Sequence, residues 1–137
     1  MRLVKQESWN DCAPACLAMV TGVPITNVKA FVPVPTTHAE MYSFLFRRVD
    51  DVHLITILDE IKIRDLKERR DLFRTNRPFE ERTMILTVAA PYPEVLWHAI
   101  VVHEGKVLDP TDEWRDIDEI NGVSCTWGFD IELDSDL

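Results

Sequence analysis

No stretch of this 137-residue chain approaches the roughly 18 consecutive apolar residues that a membrane-spanning helix needs. The N-terminus, MRLVKQESWND, also lacks the hydrophobic centre of a signal peptide, so a cytoplasmic location is expected. Cysteine is scarce. Three residues, an odd number in a chain with no secretion signal, argue against a disulfide framework and for free thiols in a reducing compartment. Positive charge is also in deficit: 15 Lys and Arg against 24 Asp and Glu leave a net charge of −9, which repels nucleic acid and anionic membranes and removes both from the expected partners. There is no internal repeat and no low-complexity segment. The length suits a single domain over residues 1–137 that can bury a core without staples.

What is present centres on Gln6 to Gly22, QESWNDCAPACLAMVTG. Asp11 is placed as an N-cap, Pro14 falls within the first helical turn, where its missing N–H is tolerated, and Gly22 closes the helix. Cys12 then stands at a helix N-terminus, where unpaired N–H groups and the partial positive charge favour thiolate over thiol. A lone cysteine in an apolar helix is ordinarily packing, and Cys16, one turn below, is read that way, as is Cys125. Cys12 is read differently because an amide, Gln6, lies six residues upstream and a segment carrying a histidine and an aspartate, WHAIVVHEGKVLDP, lies downstream. Gln6 is so near Met1 that no inhibitory propeptide is expected ahead of the site within this chain.

Elsewhere Pro24 opens a short helix that Pro33 and Pro35 end, and Thr37 to Arg48 reads as an amphipathic helix with His38 on its surface. Val52 to Leu58 suits either a short strand or the lead into a helix. Asp59 to Arg77, with mixed charges at three- and four-residue offsets, is expected as a solvated helix. Thr83 to Ala90 reads as a strand buried on both faces, Asp112 to Asn121 as a polar stretch with room for a helical turn, and Ser124 to Leu133 as a final strand. Helices first and antiparallel strands later make an α+β layout, with N-terminal helices packed on an antiparallel sheet.

Trp97 to His103 and Lys106 to Asp109 form an expected hairpin around Glu104-Gly105. A two-residue turn pairs His103 with Lys106 and Val101 with Leu108, and sets Asp109 diagonally beside His98 on one face. A one-residue change in loop length would break that pairing. By the same parity His103 points away from His98, which counts against the rival reading of Cys12, Cys16, His98 and His103 as a zinc site. No cofactor and no metal are expected. Acyl transfer at a thiol needs a nucleophile, a base, a group that orients the base, and donors for the oxyanion. Cys12, His98 and Asp109 fill the first three roles, and the Cys12 N–H with the Gln6 amide fills the fourth.

Gln6, DCAPACLAM from Asp11, WHAIVV with His98, and VLDP with Asp109 together resemble the papain-like fold, and within it the peptidase domains that process bacteriocin leader peptides. The resemblance covers less than half of the chain and is absent between about Gly22 and Glu81. It implies a Cys12–His98–Asp109 triad with Gln6 in the oxyanion hole. Ala13 stands where the family usually has glycine, and the chain carries no transporter, so a stand-alone hydrolase of peptide or isopeptide bonds is expected. Its partner would be a protein or peptide substrate, with Trp9, Tyr92 and Trp97 as candidate contacts and Asn10, Asp11 and Glu94 behind them. The sequence leaves the oligomeric state open. The alternatives are a papain-like module that binds without cleaving, and an acyltransferase or transglutaminase that keeps the thiol chemistry.

Overall fold

A computed structural model describes residues 1–91 and 95–133. Three helices come first, α1 (Cys12–Thr21), α2 (Ile25–Phe31) and α3 (His38–Phe46). Strand β1 (Asp51–Lys62) leads directly into one helical turn, α4 (Ile63–Leu66). Strands β2 (Thr83–Ala89), β3 (Trp97–His103), β4 (Lys106–Leu108) and β5 (Ser124–Glu132) complete an antiparallel sheet in the order β1-β5-β2-β3-β4. The fold is α+β. No helix among the described residues is long and apolar enough to cross a membrane.

Residues Ala13 to Val20 of α1 are all buried, so this helix is a core element and has no solvated stripe. Gly22 ends it in the left-handed conformation, φ +76°, and returns its N–H to the Ala18 carbonyl. At the other end the structure corrects an expectation: Asp11 occupies the N-cap position, but its carboxylate makes no capping bond. The N3 residue is Pro14, which has no N–H to give, and the Ala13 N–H is turned to the Cys12 sulfur. Helix α3 is capped in full, with Thr37 Oγ1 accepting from the Glu40 N–H at 3.2 Å and Glu40 accepting from the Thr37 N–H at 2.8 Å. His38 is exposed, and its ring lies against Trp127 of β5.

Both faces of the sheet are covered. Ile85, Ala99, Val101, Phe129 and Ile131 meet α1, α2 and α3 on one face, while Met84, Leu86, Val88, Ile100 and Val102 meet Ile63, Leu66, Phe79 and Ile120 on the other. Hence β2 carries no polar alternation. A register shift between Thr87 and Val88, whose β5 partners are Trp127 and Cys125, skips one residue of β5 and turns Cys125 into the second face. At Gly128 a Cβ would stand 2.6 Å from the Ile85 carbonyl oxygen, so only glycine lets β5 lie this close to β2.

The segment Asp59–Arg77 is not the solvated helix that its charge pattern suggests. Val52 to Leu58 is strand, and β1 continues to Lys62, with Ile61 and Lys62 opposite Cys125 and Ser124. The chain then makes only the single turn α4, and the Ile63 and Arg64 N–H groups bond Val123 and Asn121 carbonyls. Offset ion pairs are worth about 0.2–0.5 kcal/mol each on a helix. Burying Ile63 and Leu66, both fully covered, is worth roughly 1.5–3 kcal/mol apiece and decides the outcome. Arg69 forks onto Asp71 two residues on, an offset that does not face across a helix, and Arg74 pairs with Asp51 of β1. Arg82, 4% exposed, locks the end of this segment through Thr75 and an Asp130 ion pair at 2.6 Å.

Candidate active site

The hairpin that orders the site has the expected register. Glu104 (φ 50°) and Gly105 (φ 81°) both take positive φ, and His103, Val102 and Val101 face Lys106, Val107 and Leu108. Strand β4 ends at Leu108, one residue earlier than expected, so Asp109 leaves the ladder. Released in this way, it turns its carboxylate onto His98, with His98 Nε2 at 2.6 Å from Asp109 Oδ1. Both residues are 1% exposed.

Asp109 is held as an anion. Oδ1 also accepts the Thr111 N–H and hydroxyl at 3.0 and 2.9 Å, and Oδ2 accepts the Glu113 and Trp114 N–H groups at 3.1 and 3.2 Å. Burial pushes this carboxyl up, but the His98 bond and the Thr111 N–H outweigh it, and the pKa lies below the ordinary carboxylate value. The short β4 has a second consequence. It pairs β3 only at residues 101–103, so on that side the Trp97–Ile100 stretch has no strand partner among the described residues, and the Ala99 N–H there reaches the Cys12 sulfur.

Cys12, half-buried at the head of α1, is hydrogen-bonded to His98. With Nε2 on Asp109, Nδ1 is the ring nitrogen available to the sulfur. Burial pushes the Cys12 thiol up, yet the His98 bond and charge and the N–H groups of Ala99 and Ala13 bring its pKa below the ordinary value. For His98, burial pushes down, and the bonds to Asp109 and Cys12 more than reverse it, to about 9. The Cys12 shift is toward the thiolate and the His98 shift toward the imidazolium, so each group favours the charged form of the other. Cys16 and Cys125 show the contrast: burial pushes both thiols up, Cys125 to about 12, and both are inert core.

The remaining expected residues fall out unevenly. Gln6 is tied to this site through its backbone, its N–H donating to the Pro110 carbonyl at 3.0 Å, next to Asp109. Its side-chain Nε2 donates to the Ser8 carbonyl at 2.8 Å, while its Oε1 is buried with no partner among the described residues. Trp9 is 70% exposed and Trp97, opening β3, is 37% exposed; Tyr92 and Glu94 lie outside the described residues. Asn10 accepts from the Ser8 hydroxyl. His103 bonds Thr83 Oγ1 at 2.7 Å and lies by Glu104, apart from the pair at His98. Among the described residues no group of three or more His, Cys, Asp or Glu side chains is placed to hold a metal ion.

Two further contributors stand outside the residues expected from the sequence. Thr111, which holds Asp109 twice, carried a signal, since an Asp followed two residues later by a backbone donor is an Asx turn. The Ala99 N–H carried none, because its freedom depends on where β4 stops. No known protein family has a model that matches this chain, and no curated protein matches it.

Proposed function

We propose that the chain is a papain-like cysteine hydrolase that cleaves a peptide or isopeptide bond, with Cys12 as nucleophile, His98 as acid and base, and Asp109 as the residue that orients His98. The observation that carries this reading is the Cys12–His98–Asp109 line of hydrogen bonds, fully buried at its carboxylate end and half-buried at Cys12. A structural cysteine is served well by an apolar site and has no need of an imidazole fixed by a carboxylate that accepts five bonds.

In the reaction the Cys12 thiolate attacks the substrate carbonyl carbon and the carbonyl electrons move to oxygen. The Cys12 N–H and the second N–H of Gln6 Nε2, which has no partner among the described residues, would hold that oxyanion. Collapse expels the amine, which takes its proton from the His98 imidazolium and leaves a thioester on Cys12. Neutral His98 then removes a proton from water as it attacks the thioester, and the acid product and the thiolate–imidazolium pair are restored. Asp109 stays ionised throughout and keeps the imidazole from rotating. Trp9, three residues before Cys12 in the chain, and Trp97, the residue before His98, are large exposed apolar side chains suited to substrate side chains.

The test is a peptide library presented to the wild type and to Cys12→Ala, read by mass spectrometry. Cleavage by the wild type alone, with one oxygen from labelled water in each new carboxyl group, supports hydrolysis. Products carrying an added amine instead assign an acyltransferase. No products, together with Cys12 labelling that rises only near pH 8.5, would leave a binding module.

A further inference from the structure

We propose that Lys29 of α2 is a positioning residue for the oxyanion hole, acting through Asp11 and Ser8 to hold the Gln6 amide in place. This rests on the hydrolase reading above. The starting observation is a buried carboxylate at a helix start that does not cap the helix. Asp11 is 1% exposed and stands at the N-cap of α1, yet makes no capping bond. Its charge is met from elsewhere: Oδ2 takes the Ser8 N–H at 3.1 Å and the Lys29 ammonium at 2.5 Å, reaching across 18 residues of sequence.

Lys29 is itself 27% exposed at the side chain and spans both ends of the loop before the nucleophile, bonding Glu7 Oε1 at 2.9 Å as well as Asp11. Ser8 is the junction between them. Its carbonyl accepts the Asp11 N–H at 3.2 Å and Gln6 Nε2 at 2.8 Å. Gln6 in turn is fastened by its own N–H to Pro110, beside the residue that orients His98. The connection therefore runs from Lys29 to Asp11, to Ser8, to Gln6, and on to the Asp109 loop. It joins the nucleophile side of the site to the base side without passing through either reacting side chain.

The consequence is specific. Without Lys29, Asp11 is a buried charge left with backbone N–H donors of Glu7 and Ser8 and no cation, and an uncompensated buried carboxylate either takes a proton or swings out to water. Both release Ser8, and with it the acceptor that sets the Gln6 amide. The Cys12–His98–Asp109 bonds share no atom with this network and should persist.

Two reagents separate these parts. Iodoacetamide is displaced at a tetrahedral carbon and reads only the thiolate, whereas p-nitrophenyl acetate passes through an oxyanion. In Lys29→Met the acylation burst with p-nitrophenyl acetate should fall about tenfold or more while alkylation by iodoacetamide stays within about twofold, since losing one oxyanion donor selectively weakens the step that develops that charge. Lys29→Arg should restore the burst, and the Ser8 amide should lose hydrogen-exchange protection in Lys29→Met only. An unchanged burst with Ser8 still protected overturns the proposal. So does equal loss of both reactions with a melted fold that arginine does not rescue, which would make Lys29 purely structural. If wild-type Cys12 labels as an ordinary thiol, the hydrolase reading falls and the oxyanion role falls with it; protected Ser8 would then mark the network as a loop staple.

Discussion

Replacing Asp109 by asparagine preserves size and removes one acceptor, and the structure shows what each orientation of the new amide would meet. With nitrogen on the Oδ2 side, it faces the Glu113 and Trp114 N–H groups, donor against donor. With nitrogen on the Oδ1 side, it confronts the Thr111 N–H and makes His98 accept at Nε2, so that the ring proton moves to Nδ1 and the ring can no longer take a proton from sulfur. One or two buried donors are orphaned either way, and at about 1–3 kcal/mol each the variant should lose roughly 2–4 kcal/mol of stability. His98, which burial pushes down, is brought to about 9 first of all by its Asp109 bond. Without it the imidazolium is not held and Cys12 returns toward an ordinary thiol, only about 0.3% ionised at pH 6. Iodoacetamide labelling of Cys12 at pH 6, followed by intact mass, should slow about tenfold after allowing for the stronger nucleophilicity of a more basic thiolate. Turnover of any substrate should fall by roughly 10³–10⁴, the size seen when a triad histidine is left in the wrong tautomer. Folded Asp109→Asn that labels at pH 6 as fast as the wild type would refute the argument that Asp109 controls the pair.

Because the His98 pKa is raised, its stabilising contribution is complete below the ordinary value of 6.5 and is lost as pH rises through about 9, so the urea-midpoint gap between wild type and His98→Gln should narrow from pH 7 to pH 10. The lowered Cys12 and Asp109 values act with the opposite sign, and their contributions disappear as pH falls through the folded-state values; acid unfolding monitored by circular dichroism should begin at lower pH in the wild type than in Asp109→Asn. Gly128→Ala should cost about 1–3 kcal/mol in urea unfolding, since its Cβ meets the Ile85 carbonyl and Leu86 Cδ2 at 2.6 and 2.7 Å; an unchanged midpoint would show that β5 shifts freely. Cys12→Ala should abolish turnover with the fold intact, whereas Cys16→Ser should keep turnover and lose about 1–3 kcal/mol from a hydroxyl placed in fully buried surroundings.

Local chemistry made part of this site legible. Glu104-Gly105 dictates a two-residue turn and the turn dictates the register, which delivers Asp109 to the His98 side one residue past the end of β4. The α1 boundaries were legible for the same reason, since Pro14 and Gly22 act within one turn of where they stand. Charge spacing misled over Asp59–Arg77, because the offsets that stabilise an isolated helix are weak beside the burial of Ile63 and Leu66, and burial is not encoded locally.

By itself, then, the sequence determined the α+β layout, the hairpin that positions His98 and Asp109, and the helix whose first residue is Cys12, all from interactions spanning a few residues. Tertiary structure alone decided that β4 stops at Leu108 and leaves the Ala99 N–H for the sulfur, and that Lys29 reaches Asp11 from 18 residues away. It also decided that Ile61 and Lys62 pair with β5 rather than continuing a helix. Each of those outcomes depends on which distant surfaces meet. That is settled by burial and backbone pairing summed over the whole sheet, a quantity no window of sequence contains.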